Sequence, residues 1–205
     1  MRISDEEPVD SLKTRGVPPR YRECRLQNFS AYTDGLAKKL EQIKHLAKEA
    51  RPRGLYLFGP PGAGKTHLAV AVMAELLSRG FNGEFAQAMC YSLRVQRAYG
   101  DPTEIVADML HEAHFIVLDD IGAERSSESA RVALLSLIDE LYTRKRCLIA
   151  TSNLRPADLE KFEPRAMSRI AEMCLLVEVN AADYRVKLAT ERQTAEQNAG
   201  RVTVN

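Results

Sequence analysis

The chain has 205 residues, 45% of them hydrophobic and 28% charged, with a net charge of +1. That suits one globular domain with a real core and a short appendage, and a near-neutral balance means that any basic surface has to be local. No apolar run approaches the roughly 18 residues of a membrane span, the polar start MRISDEEPVDSLKTRG has no signal-peptide core, and the scattered Cys24, Cys90, Cys147 and Cys174 form no C-x-x-C pair, which suits reduced thiols in the cytoplasm.

Residues 1–18 are polar, with Pro8 and Pro18, and are expected to form a flexible tail. Residues 19–53 read as a basic, aromatic arm followed by a helix. The arm sets Arg20, Arg22 and Arg25 among Tyr21, Phe29 and Tyr32. It either packs onto the domain by its aromatics or offers a basic strip to phosphate. Thr33 or Asp34 can cap a helix reaching to about Ala50, with Leu36, Leu40, Ile43 and Ala47 on one face and Lys38, Lys39, Lys44 and Lys48 on the other. Leu55–Phe58 reads as a buried strand. After it, Leu68, Val72 and Leu76 fall at helical spacing up to about Arg79, where Gly80 stops the helix. Gly83–Ala88 is a second strand. Residues 89–114 are helical, with Leu93, Val95 and Tyr99, a break at Gly100-Asp101-Pro102, then Ile105, Met109 and Leu110. His111 and His114 lack the zinc-helix spacing H-E-x-x-H and read as helix surface. Phe115–Leu118 is a third strand, tipped by Asp119 and Asp120. Val132, Leu135, Ile138 and Leu141 or Tyr142 form a helical stripe over 129–144. Cys147–Ala150 is a fourth strand, ending in Thr151, Ser152 and Asn153, and Leu175–Val179 is a fifth. Apolar strands alternating with amphipathic helices predict an α/β sheet covered on both faces, with ligands at the carboxyl ends of the strands.

The strongest chemical signal lies between the first strand and its helix. Gly59, Pro60, Pro61, Gly62, Ala63, Gly64, Lys65 and Thr66 fit the phosphate-loop pattern G-x-x-x-x-G-K-[ST], and His67, which follows, is expected to join them in binding the ligand. The four fixed positions recur by accident in roughly one chain of this length in a hundred, and the strand–loop–helix context lowers that further. The glycines free the backbone so that its amides can face phosphate oxygens, with the helix N-terminus adding its dipole. Lys65 serves the β- and γ-phosphates, and the Thr66 hydroxyl serves Mg²⁺. About fifty residues on, Asp119 suits the metal shell and Asp120 suits orienting or deprotonating a water, with Glu124 as an alternative base. Asn153 either contacts the γ-phosphate or the lytic water, or caps the following helix. Arg165 and Arg169 share one helical face. Arg169 can stabilise a transferring phosphate or simply lie on the surface.

The loop, the Asp-Asp strand, the ATSN strand and the R-x-x-x-R pair, in this order, resemble an AAA+ ATPase. VPPRYRECRLQNF, LDDIGAERSS, IATSNL, PRAMSRI and DYRVKL (183–188) are similar to DnaC/DnaI-type helicase loaders and IstB-type transposition helpers, from about Val17 to Lys187. The resemblance implies a three-layer α/β/α P-loop NTPase with a five-stranded parallel sheet, an AAA+ core over 54–188, no full C-terminal lid, and a disordered tail over 189–205. It makes Gly59–Thr66 the Walker A loop and Asp119 and Asp120 the Walker B pair, with Asp120 where many AAA+ proteins carry glutamate. It makes Asn153 sensor 1 and Arg169 an arginine finger acting on a neighbouring subunit, with Arg165 close by. The helical insert with Arg94 and Arg97, beside Tyr91 and Tyr99, resembles the region loaders use on single-stranded DNA. ATP and Mg²⁺ are the implied cofactors, with weak, assembly-dependent hydrolysis. A replicative helicase, single-stranded DNA and further copies of the chain are the implied partners, with no membrane. The alternatives are a helper of a DNA transposase and a nucleotide-switched adaptor with negligible hydrolysis. Some fifty residues precede the ATPase core, too few for the helicase-gripping domain that loaders usually carry.

Overall fold

The computed structural model describes residues 8–31, 33–97, 105–106, 109–122 and 128–181. Apolar segments become the strands β1 (Gly54–Phe58), β2 (Gly83–Gln87), β3 (Phe115–Ile121), β4 (Cys147–Ser152) and β5 (Cys174–Glu178). They form one sheet in the order β2-β3-β4-β1-β5, with every pairing parallel. β1 lies in the interior of the sheet, with Leu55 opposite Ile149 on one side and Leu175 on the other. Its side chains alternate between faces, as a strand requires. Leu55 and Leu57 join one core and Tyr56 the other.

The helices among the described residues are α1 (Pro8–Thr14), α2 (Asp34–Ala47), α3 (Lys65–Ser78), α4 (Ala88–Arg97), α5 (Glu128–Thr143), α6 (Pro156–Phe162) and α7 (Pro164–Met173). One core holds Leu12, Leu36, Ile43, Leu68 and Val72 from α1, α2 and α3 against Leu57, Val117 and Ile149. The other holds Val95, Leu134, Ile138 and Ile170 from α4, α5 and α7 against Ile116, Leu118 and Leu148. The result is the three-layer α/β/α arrangement with a five-stranded parallel sheet that the AAA+ resemblance implied.

The helix ends have local causes. Thr33 caps α2, its hydroxyl accepting from Leu36 N at 3.2 Å. The helix ends at Ala47, three residues short of the expected Ala50. There the Arg79 guanidinium donates to the carbonyls of Ala47 and Glu49, satisfying acceptors that the helix leaves open. α3 ends where the sequence predicts, with Gly80 at φ +85° and Phe81 N bonded to Leu76 O at 3.1 Å.

Three expectations need correction. The segment up to residue 18 was expected to be flexible, but residues 8–14 are helical and Leu12 and Val17 are fully buried, 0% and 1% exposed. Arg15 also donates to Asn82 Oδ1 and to Gly83 O. Two apolar anchors in a polar stretch are enough to seat it. The stripe on α5 holds at Ile138 and Leu141 but is wrong at its start. Val132 is half exposed and Tyr142 is exposed, whereas Ala130, Ala133, Leu134, Leu137, Ile138 and Leu141 are buried. Small residues let α5 approach α4 closely, so that the Ser92 hydroxyl reaches both Ala88 O and Ala130 O. A count of large side chains misses such a face. Finally, β3 runs past its expected end at Leu118 to Ile121, through a register shift against β4.

Candidate functional site

β1 delivers the chain at Phe58 into the glycine loop. Gly59 has φ +146°, and a Cβ there would stand 2.3 Å from Val179 O. Gly64 has φ +95°, and its Cβ would stand 2.7 Å from the Phe29 ring. The loop is therefore clamped between the exit of β5 and the N-terminal arm, and only glycine fits at either contact. Gly64 is also the N-cap of α3 and offers no capping side chain, which leaves the first-turn amides available to a ligand.

Lys65 is buried, with its Nζ donating to Gly59 O at 2.9 Å, Pro60 O at 2.7 Å and Asn153 Oδ1 at 2.8 Å. Thr66 Oγ1 donates to Asp119 Oδ1 at 2.9 Å, and Thr151 Oγ1 donates to the same oxygen at 2.7 Å. Burial pushes the Asp119 carboxyl above its ordinary range. The two hydroxyls oppose that rise, Asp120 adds to it, and the charge of Lys65 opposes it. Asp120 sits in the β3 irregularity at φ +62°, which turns its side chain out of the strand pattern. Its amide donates to Thr151 Oγ1 at 2.9 Å, and its carboxylate accepts from Asn153 Nδ2 at 2.9 Å. Asn153 thus joins Lys65 to Asp120, its carbonyl facing the lysine and its amide facing the carboxylate. Ser152 secures the turn below, donating to Ile121 O at 2.6 Å and accepting from Leu154 N at 3.0 Å.

These groups face a cleft of about 560 Å³, within the range of small-ligand sites. Its second wall is the arm, which contributes Arg20, Tyr21, Cys24 and Phe29. Of the two readings of the arm, packing is the one observed. Tyr21 and Phe29 lie partly buried against the core, Arg22 donates to Val17 O, and Arg25 donates to Arg22 O and Cys24 O. Arg20 remains exposed at the cleft, and Tyr32 lies outside the described residues. Burial pushes the Cys24 thiol up to about 11. The ring of His67 meets the arm, and burial lowers its pKa against the opposing effect of the Arg25 carbonyl.

Sequence reasoning missed two contributors. Thr151 bridges both aspartates but looks like one more polar strand tip. The arm wall comes from some forty residues upstream, and its signal was the aromatic spacing of Tyr21 and Phe29. Arg165 and Arg169 stand on α7, outside the residues that line the cleft. Arg169 pairs with Asp139 of α5 at 3.0 Å, Arg165 lies 3.7 Å from the same carboxylate, and the Arg169 guanidinium covers the Tyr142 ring at 5.8 Å. Arg94 and Arg97 are exposed on the last turn of α4. Tyr91 is only 3% exposed, so its ring is closed to base stacking, the use that its place beside Arg94 implied. Tyr99, Glu124, the segment 183–188 and the tail 189–205 lie outside the described residues. Among the described residues no three metal-ligating side chains gather, and no helix is long and apolar enough to cross a membrane.

Fold and site together define a P-loop nucleotide-binding domain of the AAA+ kind. The chain belongs to the family of IstB-like ATP binding proteins, whose sequence profile matches residues 16–192. It is 26% identical over 161 residues to the replicative helicase loader DnaC of Escherichia coli K12, covering 76% of this chain and 66% of that one. It is 27% identical over 159 residues to an insertion-sequence ATP-binding protein of Sinorhizobium fredii, covering 74% of this chain and 52% of that one. The chain thus spans less than two thirds of the length of these curated relatives. Among solved structures, that of the DnaC helicase loader superposes with a TM-score of 0.73 at 26% identity, over 80% of this chain and all of that one.

Proposed function

We propose that this protein is an ATP-hydrolysing AAA+ protein that loads or remodels a replicative helicase on single-stranded DNA. The observation that carries the ATPase reading is the joined constellation of Lys65, Asn153 and Asp120 beside Thr66, Asp119 and Thr151. Lys65 and the loop amides bind the phosphates. Asp120 orients and deprotonates the attacking water, and Asn153 holds Asp120 and the lysine in register. The Thr66 hydroxyl and Asp119 fit Mg²⁺, which keeps several waters and takes few protein ligands. Bound there, the ion would neutralise charge on the β- and γ-phosphates. Arg169 is not among the residues lining its own cleft and is paired with Asp139; in this reading it serves the cleft of a neighbouring copy, which makes hydrolysis depend on assembly.

Likeness to DnaC over most of the chain supports the loader reading. The family membership and the insertion-sequence relative support a second one, a helper that assembles on duplex DNA for a transposase. Lys65→Ala is expected to abolish ATP binding. Arg169→Ala is expected to keep binding and lower phosphate release by roughly 10³-fold. Normal turnover in the Arg169 variant removes the shared site. Light scattering after size-exclusion chromatography, with the host's replicative helicase, ATP and a single-stranded oligonucleotide, separates the roles. A nucleotide-dependent complex supports the loader, whereas self-assembly on duplex DNA without helicase contact supports the transposition helper.

A further inference from the structure

The residue after the phosphate-loop threonine lines the same cleft, and its contacts point away from the phosphates to the arm. His67 Nε2 lies 3.0 Å from Asn28 Oδ1 and 3.2 Å from Arg25 O. Both partners are acceptors, because the amide group of Asn28 is oriented independently. Its Oδ1 also accepts from Arg25 N at 2.8 Å, and its Nδ2 donates to Glu23 O at 2.8 Å. Nε2 therefore carries a proton and donates it to the arm. The imidazole also meets the Phe29 ring edge-on, with centroids 5.3 Å apart. Phe29 in turn occupies the space beside Gly64 where any side chain would collide.

The arm has no strand pairing to hold it in place. Its own backbone bonds are local turns, such as Cys24 N to Tyr21 O at 3.0 Å and Asn28 N to Arg25 O at 3.3 Å. Buried Cys24 and Leu26 seat it by apolar contact, which is not directional, so the hydrogen bonds of His67 fix where the turn stands against the loop. The same turn carries Tyr21 and Cys24 into the wall of the cleft.

We propose that His67 is a positioning residue that latches residues 20–30 against the phosphate loop, so that the arm sets the fit of the nucleoside end of the ligand while the loop alone grips its phosphates. This rests on the ATP-binding reading above and deepens it. Arm docking and nucleotide selection are then one equilibrium.

The test compares binding of ATP and of tripolyphosphate to the full chain and to its His67→Ala, Asn28→Ala and doubly substituted variants, by calorimetry. Each single substitution is expected to weaken ATP roughly five- to tenfold, the effect of one lost hydrogen bond, and to leave tripolyphosphate affinity in place. The double variant is expected to lose less than the sum of the two single losses, because the His67–Asn28 contact can be removed only once. Equal losses for ATP and tripolyphosphate, additive losses in the double variant, or wild-type ATP affinity in the singles would overturn the latch. Asn28 is on an exposed turn, so its variant carries the test if substitution in α3 prevents folding. A wild-type chain that binds no ATP overturns the ATP-site reading and the latch together. Variants that bind ATP as tightly as the wild type overturn the latch alone.

Discussion

Asp120 occupies a left-handed backbone conformation, φ +62°, held by Thr151 at its amide and Asn153 at its carboxylate. For a residue with a Cβ this conformation costs roughly 1–2 kcal/mol, although Asp tolerates it better than most. The strain serves to aim a carboxylate into the cleft. Asp120→Gly is therefore expected to raise stability by about 1 kcal/mol in a urea titration while removing phosphate release. A variant that is less stable than the wild type would show that the two hydrogen bonds outweigh the backbone cost. Asp119, Asp120 and Asn153 were legible in the sequence because each ends an apolar run, and a charged or amide side chain there has few other uses. Thr151 was not legible, since a hydroxyl at a strand tip looks solvated, whereas this one is 1% exposed and ties both aspartates together. The direction His67 faces was equally hidden, because it depends on a segment far away in the chain.

At the level of elements, glycine did most of the signalling. Gly80 marks the end of α3, and the loop glycines mark the turn from β1 to α3. One glycine without a turn is as demanding as these. Gly54 opens β1 where β4 and β5 converge, and a Cβ there would stand 2.6 Å from Cys174 Sγ, 2.8 Å from Leu148 O and 3.0 Å from Met173 O. Two of those three neighbours are backbone and cannot swing aside. Gly54→Ala is expected to destabilise the fold by about 1–3 kcal/mol, read as a lower midpoint of urea unfolding with an unchanged slope. An unchanged midpoint would mean that the sheet gives at this edge. The α5 stripe shows the limit of periodicity. Its contact face is built on Ala130 and Ala133, and small residues carry too little hydrophobic signal to outvote Val132 and Tyr142.

Across the whole molecule, the sheet separates two cores, and chemistry gathers where the strands end. The fold class was readable from alternation alone, but the seating of the segment before residue 18 was not, because two buried side chains, Leu12 and Val17, barely move a composition. Burial of titratable groups has a global consequence. It pushes the Cys24 thiol from 9.0 to about 11 and the Tyr56 phenol from 10.0 to about 12. In the folded chain both hold their protons through a range where the unfolded chain releases them. Their contribution to stability is therefore full below pH 9 and falls as pH rises from 9 toward 12. Thermal melts across that range are expected to show the decline, and Cys24→Ser is expected to flatten it between pH 9 and 11. A slope unchanged by the substitution would assign the decline to other groups. The contact between Gly59 and Val179 has a different kind of consequence. Val179 donates its amide to Phe58 O at 2.7 Å, and its carbonyl closes the space beside Gly59. The phosphate loop and the exit of the last strand, some 120 residues apart in sequence, are thus one mechanical joint. A shift of the chain at Val179 therefore has to be absorbed at Phe58 and Gly59, where the phosphate loop begins.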